Sequence, residues 1–451
     1  MIRLSLIKQG TLFEIRKFIP FFLLFLLSQN ILAGEIYDLS RCILTGLEQN
    51  FSIKLARNQE EISANNYSRG NAGYLPEITA NNFFGGTVNT TDQSLRDGNE
   101  NTDRNMHNIS GSVGLNMNMT IFNGFNVQTS YQKLNELKQM GALNTQMDIE
   151  NLVAEIIVEY YSYIQQLNLY ENMEYAMKLS RERVRIDEER YLLGASSKLD
   201  LLQSVVYLNA DSSRYSKQHE VLRTSLVRLK KLMAAKDLRE EIILQDTSIR
   251  VNPGLNYEDL LETTLASNTS LQVAKKDQVI SELDYKIIAS RSYPYLNLSS
   301  GYTWSYNGYE EGSVKNQQTR EMDYGLSMGI DLFDGYNRRR EKANAMIEIE
   351  NRKYQYQEVE QDVKADLLTI YYAYENNLQL LQLEEQNLDV ARENLGIALE
   401  RYKLGDLSGL ELREVQKSLL DAEERLISVK YETKLAEISL LLISGRIMDY
   451  A

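Results

Sequence analysis

The chain has 451 residues, with 49 basic and 63 acidic side chains and a net charge of −14. This excess of acid argues against a nucleic-acid partner, because binding to phosphate backbones depends on basic surfaces. The single cysteine, Cys42, excludes an intrachain disulfide and a cysteine-based metal cluster.

Residues 1–33 are predicted to be a secretory signal peptide. Lys8, Arg16 and Lys17 give it a basic start, residues 18–27 form an apolar core, and Ala33 is a small residue suited to cleavage. The apolar core has only about half the length that a membrane-spanning helix needs. We therefore expect an exported protein.

A helix and a β-hairpin are predicted next. The helical pattern runs from Tyr37 to about Asn71, and Pro76 follows it. From Ile109 to Ile121 apolar and polar residues alternate, which predicts a strand with one apolar and one polar face. The hairpin covers residues 77–121, and its polar segment 91–107 is predicted to be a mobile loop.

Two long helices are predicted at residues 126–193 and 337–404, each roughly 100 Å long. Both carry large side chains at every seventh position, which favours left-handed coiled-coil packing. The first stripe is Ile156, Tyr163, Tyr170, Met177, Val184 and Tyr191, and the second is Leu367, Tyr374, Leu381, Leu388, Leu395 and Tyr402. Helices of about half this length are predicted at residues 199–233 and 410–443.

One short stretch occurs twice, and it marks an internal duplication. Residues 190–202 read RYLLGASSKLDLL, and residues 401–413 read RYKLGDLSGLELR. In both copies a glycine suits the end of a long helix and a serine precedes the next helix, which predicts a tight helical turn. The same spacing pairs the FNGF motif at 122–125 with the FDGY motif at 333–336.

The duplication predicts two structural repeats, each with the order short helix, hairpin, long helix, glycine turn and short helix. The first repeat covers residues 34–243, with its turn at Gly194. The second covers residues 257–451, with its hairpin at 295–334 and its turn at Gly405. Residues 244–256 link the two repeats, and the fold class is mainly α with a small β part.

Four strands per chain cannot close a barrel by themselves. An open sheet cannot lie in lipid either, because its edge groups would be unpaired. If the strands enter a membrane, several chains must therefore share one barrel. Three chains are the smallest assembly that leaves an aqueous bore, since side chains would fill an eight-strand barrel.

The complete pattern resembles the TolC family of outer-membrane efflux and secretion channels, over essentially the whole mature chain. The resemblance implies a homotrimer, with a shared 12-strand barrel in the outer-membrane lipid and a trimeric α-helical barrel in the periplasm. It also implies a passive exit duct of a tripartite efflux pump or a type I secretion system. The implied partners are a periplasmic adaptor protein and an inner-membrane RND or ABC transporter.

The resemblance also assigns residues to roles. The residues implied to contact the adaptor lie in the two turns and are Leu193, Gly194, Ala195, Leu404, Gly405 and Asp406. Tyr402, Glu411 and Glu414 fall at the implied periplasmic entrance, as a gating tyrosine and an acidic ring. Leu407 stands where some members carry a basic gating residue, which leaves Arg413 as the candidate for another lock.

These residues also have simpler explanations. Both glycines stop helices, Tyr402 continues a packing stripe, and an exposed acidic pair is common on helices. The sequence carries no phosphate-binding Gly-Lys loop and no Gly-x-Ser-x-Gly motif, and it predicts no enzyme, metal or cofactor. The alternative function is an exported coiled-coil scaffold or adhesin, which would not explain the duplicated hairpins.

Overall fold

The computed structural model describes residues 35–240, 242–310 and 313–450, so the predicted signal peptide lies outside the described residues. The first part of the chain forms β1 (Glu35–Tyr37), α1 (Leu39–Gln49), α2 (Phe51–Asn66), β2 (Glu77–Ser94), β3 (Glu100–Asn123), α3 (Asn126–Leu192), α4 (Lys198–Leu232) and β4 (Ile242–Leu244). The second part forms α5 (Tyr257–Ser267), α6 (Thr269–Ser290), β5 (Tyr295–Gly308), β6 (Asn316–Gly329), α7 (Asn337–Leu404), α8 (Gly409–Ile443) and a 3-10 turn at Ile447–Tyr450.

The long helices α3 and α7 lie where the sequence predicts them. Each starts directly after a residue in the left-handed conformation, Phe125 with φ 68° and Tyr336 with φ 64°. The preceding glycines, Gly124 and Gly335, also have positive φ. Gly124 with Phe125, and Gly335 with Tyr336, each reverse the chain between a strand and a helix. The motifs FNGF and FDGY therefore have the same structural role.

The predicted single helix over residues 37–71 is wrong, because the chain breaks it at Asn50. The Asn50 side chain accepts a hydrogen bond from the backbone N–H of Ser52 and so caps the start of α2. Its amide donates to the carbonyl of Leu232 at 2.7 Å, which ties the break to the end of α4. Asn268 divides α5 from α6 in the same way and donates to the carbonyl of Ile443.

The predicted loop over residues 91–107 is also wrong. Strands β2 and β3 stay paired up to Ser94 and Glu100, so only a short turn separates them. A bulge interrupts the ladder where Asn105, with φ 55°, donates to Thr90 Oγ1. Residues 100–108 of β3 pair with β2 alone, so the first hairpin projects beyond the second. Backbone pairing in this polar ribbon does not require an apolar face.

The four long strands form one antiparallel sheet in the order β2-β3-β5-β6. Directly paired residues share a face of a sheet, so the register defines both faces. One row of the first face is Ala80, Leu115, Tyr302 and Met322, and the neighbouring row of the opposite face is Thr79, Asn116, Gly301 and Asp323. The sheet therefore has one apolar and one polar face, as the sequence predicts.

The helices form a layer whose order matches that of the strands. Along the half of the long helices nearer the sheet, α2 packs on α3, α3 on α6, and α6 on α7. Toward the glycine turns, α4 packs on α3, α3 on α8, and α8 on α7. Among the described residues, no helix combines the length and the apolar character needed to cross a membrane.

The two predicted seven-residue stripes have different outcomes. On α7, Leu367, Tyr374, Leu388, Leu395 and Tyr402 are buried, so this stripe is confirmed as a packing seam. On α3 only the first member of the stripe is buried, and its last member is exposed, so the predicted seam is wrong toward the turn. The residues of α3 that are buried there are Asn172, Ala176, Ser180, Arg183, Ile186 and Asp187.

A small element that the sequence did not predict joins the two repeats. Strand β1 pairs in parallel with β4, which lies where the first repeat meets the inter-repeat segment. These strands cover the apolar cluster around Ile156, Ile157 and Tyr160 of α3. The hydroxyl of Tyr160 donates to Asp246 at 2.9 Å, just beyond β4. The inter-repeat segment is thus fixed to the middle of the first long helix.

Gly124 and Gly335 offer a matched test of the strand-to-helix turns. Alanine at either position costs about 1 kcal/mol, because φ is positive at both. At Gly124 a Cβ would also lie 2.2 Å from the carbonyl oxygen of Ser290, whereas at Gly335 the nearest atom is 3.8 Å away. We expect Gly124→Ala to destabilise the protein by about 2 to 4 kcal/mol, clearly more than Gly335→Ala.

Thermal loss of the helical circular dichroism signal, measured for both variants in the same detergent, checks this difference. Equal melting temperatures for the two variants would contradict the close packing of the first turn against α6.

Candidate functional site at the helical turns

The glycine turns connect the helices through the same backbone geometry in both repeats. In the first turn Gly194 has φ 73°, and its N–H donates to the carbonyl of Tyr191. The N–H of Ala195 donates to the carbonyl of Arg190 at 2.8 Å, which completes a Schellman motif. The second turn makes the equivalent pair of bonds around Gly405, with φ 85°. Both glycines therefore have the structural role that the sequence predicts.

A capping box starts each helix after its turn. Ser197 and Asp200 exchange hydrogen bonds at the start of α4, and Ser408 and Glu411 do so at the start of α8. The hydrogen bonds that Ser408 donates lower the pKa of Glu411, so this carboxylate is ionised at neutral pH and committed to the cap. Glu414, one turn further along α8, is exposed. Among the described residues, the carboxylate of Glu411 is hydrogen-bonded to Ser408, whereas that of Glu414 has no hydrogen bond.

Each turn exposes a leucine side chain to the outside. Leu193 is 83% exposed and Leu404, its counterpart in the second repeat, is 84% exposed. A Cβ added at Gly194 would meet no atom within 4 Å among the described residues, so this surface is open. Asp406 is paired with Arg401 at 2.9 Å inside its own turn. The two turns thus present their leucines at equivalent positions.

Tyr402 connects the second repeat to the first. Its side chain is 2% exposed, and its hydroxyl donates to the carboxylate of Asp187 on α3. Burial raises the pKa of Tyr402 most, and the hydrogen bond to Asp187 raises it further, to about 12. The phenol therefore keeps its proton at neutral pH and can donate it in the hydrogen bond. The guanidinium of Arg190 lies over the Tyr402 ring, 5.3 Å from its centre. Arg183 of α3 also pairs with Asp187, with Nε 3.7 Å from Oδ2.

A second buried cluster lies further from the turns and involves Arg413, the residue predicted as another lock. Arg413 binds the carboxylate of Asp211 on α4 with two hydrogen bonds of 2.7 and 2.9 Å. Ser180 of α3 donates to the same carboxylate. These bonds to Asp211 raise the pKa of Arg413. The Tyr207 ring contacts both Arg413 and Arg183, with centre-to-cation distances of 5.0 and 5.2 Å.

These contacts define two coils and a polar seam between them. The first coil is α3 with α4, the second is α7 with α8, and the seam is the set of buried polar residues between them. Several of its atoms have no hydrogen-bond partner among the described residues, namely Asn172 Oδ1, Arg183 Nε and Nη1, Asp187 Oδ2 and Gln416 Nε2. Separation of the coils would solvate these atoms, so it costs less than separation of a fully satisfied seam.

Sequence reasoning found Tyr402 and Arg413 but missed their partners. Arg183 and Asp187 were overlooked because charged residues on a long helix are normally solvent-exposed. The available signal was their spacing. Together with Asn172, Ala176 and Ser180 they recur at intervals of three and four residues, the spacing of a buried helix face. A polar residue at such a position has to find a polar partner on the neighbouring helix.

Comparison with known proteins agrees with this architecture. The family described as "Outer membrane efflux protein" matches residues 45–235 and 260–446 of the chain. The outer membrane protein TolC of Vibrio cholerae is 20% identical over 200 residues, which are 43% of this chain and 44% of TolC. The chain is thus matched to less than half the length of this relative.

Two solved structures share the fold. A membrane protein from Pseudomonas aeruginosa superimposes with a TM-score of 0.75 at 16% identity, covering 90% of this chain and 93% of its own. The CmeC outer membrane channel of Campylobacter jejuni gives a TM-score of 0.75 at 14% identity, covering 90% and 85%. The family match over most of the chain disfavours the scaffold or adhesin alternative. The predicted family is confirmed: the chain belongs to the outer membrane efflux protein family, whose members are channels rather than enzymes.

Proposed function

We propose that three copies of this chain form a passive outer-membrane exit duct. Substrate enters at the glycine turns in the periplasm, passes through a helical tunnel and leaves through a shared 12-strand barrel. A periplasmic adaptor and an inner-membrane RND or ABC transporter supply the energy, in a tripartite efflux pump or a type I secretion system. The observation that carries the proposal is that the sheet and the helical layer have their unpaired edge elements on the same two sides of the chain.

The sheet ends in β2 on one side and β6 on the other, and the helical layer ends in α2 and α7 on the same two sides. A neighbouring copy could therefore join β6 to β2 and α7 to α2 in one operation. Such a head-to-tail contact forms a closed ring when its rotation closes. Twelve strands from three chains are the smallest number that leaves an aqueous bore.

The exposed side chains at the helical edges support the same contact. Phe51 and Leu55 of α2 are exposed, and so are Met346 and Ile347 of α7. These apolar groups lie at the two edges that the ring would bring together, where association would remove them from water. The predicted homotrimer thus explains apolar surfaces that a single chain leaves uncovered.

The two faces of the sheet fit an outer-membrane barrel. Strands β5 and β6 have 14 residues each, more than the roughly 9 to 11 that a tilted strand needs to cross the hydrocarbon core. Tyr324 and Leu326 are exposed on the apolar face, which we assign to lipid. The polar face, with Asn116 and Asp323, then lines the bore.

The hydrogen bonds between the two coils are proposed to hold the entrance in its present arrangement. Tyr402 joins α7 to Asp187 of α3, and Arg413 joins α8 to Asp211 of α4. Neither bond stabilises a coil internally, because each connects one coil to the other. Breaking them lets the second coil move relative to the first while the apolar seam within each coil stays packed.

The turns themselves are proposed to contact the adaptor, through Leu193, Gly194, Ala195, Leu404, Gly405 and Asp406. The exposed Leu193 and Leu404 support this assignment, since helical partners are commonly recognised through exposed apolar anchors. The glycines keep the turn surface flat and therefore accessible to a partner helix. Arg401 fixes the Asp406 carboxylate, so its charge has a defined position.

Replacement of Tyr402 tests the entrance. Tyr402→Phe keeps the ring and removes the donor to Asp187, a bond to a charged group worth about 1.5 to 3 kcal/mol. That loss shifts a closed-to-open equilibrium at least about tenfold per chain. We expect a higher open probability in single-channel recordings from planar lipid bilayers.

Tyr191→Phe is the matched control, because Tyr191 is the repeat counterpart of Tyr402 but is 40% exposed. It should conduct like the wild type. If wild type, Tyr402→Phe and Asp187→Asn all insert as oligomers and none conducts, the duct proposal is wrong.

The second connection between the coils is tested by stability. Arg413→Ala removes both hydrogen bonds of its guanidinium to the buried Asp211 carboxylate, which keeps only the exposed Arg214 at 3.9 Å as a cation among the described residues. Breaking a buried pair in this way costs about 3 to 5 kcal/mol. Arg185→Ala removes the pairs to Glu182 and Glu189, in which all three side chains are about half exposed, so each pair costs less than about 1 kcal/mol. Melting temperatures by circular dichroism should separate the two variants, and a similar small loss in both would contradict a structural lock at Arg413.

The proposed acidic ring is tested by ion selectivity. Glu411→Gln/Glu414→Gln removes two negative charges per chain, while glutamine can still serve in the capping box. We expect the preference for cations, measured as reversal potential in a potassium chloride gradient, to fall. Asp200→Asn alters the equivalent cap of the first repeat and should leave selectivity unchanged. An unaltered reversal potential in the double variant would contradict the placement of these glutamates at the entrance.

A further inference from the structure

One glycine at the start of α8 is not required by the helical turn. Gly409 follows the capping residue Ser408 and occupies the first position of α8. Its φ is not positive, unlike that of Gly405 in the same turn. In the first repeat the equivalent capping box has Lys198 at this position. The turn therefore tolerates a full side chain here, and another feature has to explain the glycine.

That feature is the guanidinium of Arg183, which lies directly against the glycine. A Cβ added at Gly409 would lie 2.7 Å from Arg183 Nη2, well inside the roughly 3.5 to 4.0 Å of normal packing. The same Cβ would lie 3.6 Å from Arg183 Cζ, which is an ordinary van der Waals contact. Only the outermost nitrogen of the arginine thus conflicts with a side chain at this position.

Arg183 is buried at the point where the two coils meet. It extends from α3, and its side chain is 5% exposed. In the first coil, the Tyr207 ring lies 5.2 Å from the guanidinium, and Asp187 pairs with Nε at 3.7 Å. In the second coil, Gly409 approaches Nη2, and the Tyr402 hydroxyl lies 3.7 Å from the position of the missing Cβ. Arg183 therefore has neighbours in all four helices of the two coils.

The guanidinium is held there by packing and charge rather than by a full set of hydrogen bonds. Its Nε and Nη1 atoms are buried and have no hydrogen-bond partner among the described residues. A buried cation with unpaired N–H groups gains hydration when it moves toward water. Displacement of Arg183 therefore breaks few bonds, so its position depends on the space that Gly409 leaves.

We propose that Gly409 is a positioning residue of the entrance and acts through Arg183. The missing side chain lets α8 close on the guanidinium, so Arg183 forms a third connection between the coils, in addition to those of Tyr402 and Arg413. A methyl group at Gly409 acts as a wedge, because it pushes Arg183 and α8 apart by roughly 1 Å. This inference rests on the proposed function, in which separation of the coils opens the duct.

Gly409→Ala tests the wedge in single-channel recordings from planar lipid bilayers. A methyl group added to a packed contact should raise the open probability at least about fivefold over that of the wild type. Gly396→Ala is the matched control in α7, because a Cβ there would meet no atom within 4 Å among the described residues. It should leave the open probability unchanged.

Arg183→Lys shows whether the glycine acts through the arginine. Lysine keeps a positive charge beside Asp187 but ends near the position of Cζ, so it lacks the nitrogen that conflicts with a Cβ. Gly409→Ala should therefore raise the open probability in the wild type and have no effect in Arg183→Lys. Melting temperatures by circular dichroism should follow the same pattern. The alanine should lower them only in the presence of Arg183, because alanine is otherwise the better helix former.

Two results overturn the proposal, namely Gly409→Ala behaving like Gly396→Ala, or an effect of Gly409→Ala that persists undiminished in Arg183→Lys. A lowered melting temperature with an unchanged open probability also overturns it, because the contact would then be structural only. Each of these results in a conducting protein leaves the duct proposal intact. A wild-type oligomer that never conducts defeats the duct proposal, whereas the melting temperatures still decide whether Gly409 and Arg183 connect the coils.

Discussion

Unpaired backbone groups at the two edges of the sheet are the constraint on which this molecule depends. In lipid each N–H or C=O group without a partner costs several kcal/mol, so a four-stranded sheet with an apolar face cannot be the complete structure. Edge strands β2 and β6 need partners, and the duplicated chain provides complementary edges at opposite ends of one sheet. The helical layer repeats this order, so in the proposed trimer one rotation would satisfy both parts.

Packing within a coil and contact between coils use different chemistry. Within the second coil, Leu388, Leu395 and Leu412 form an apolar seam that holds α7 on α8. Between the coils, Asp187 and Asp211 are buried and accept hydrogen bonds from the opposite coil. Apolar packing gives cohesion without direction, whereas buried polar pairs have a defined geometry and lose most of their value when displaced. In the proposed entrance, this division would let each coil move as a unit.

The long helices were predictable because a sustained period and a glycine stop leave few alternatives, and Gly405 ends α7 where its motif predicts. The break at Asn50 was not predictable from periodicity, since the apolar pattern continues across it and only the cap to Ser52 marks it. The extension of β2 to Ser94 depends on backbone pairing with the start of β3 across a short turn, and a polar composition does not reveal such pairing. The partners of Tyr402 were missed because the predicted seam of α3 assumed apolar residues throughout.

The central claim is that the open edges of one chain are completed by two further copies. Native mass spectrometry of the protein, extracted from the outer membrane in mild detergent, counts the copies directly. The account predicts a single species that contains three chains. A stable monomer or dimer that retains the sheet would contradict it. The edge strands of a monomer would remain unpaired, and the eight strands of a dimer would enclose no aqueous bore.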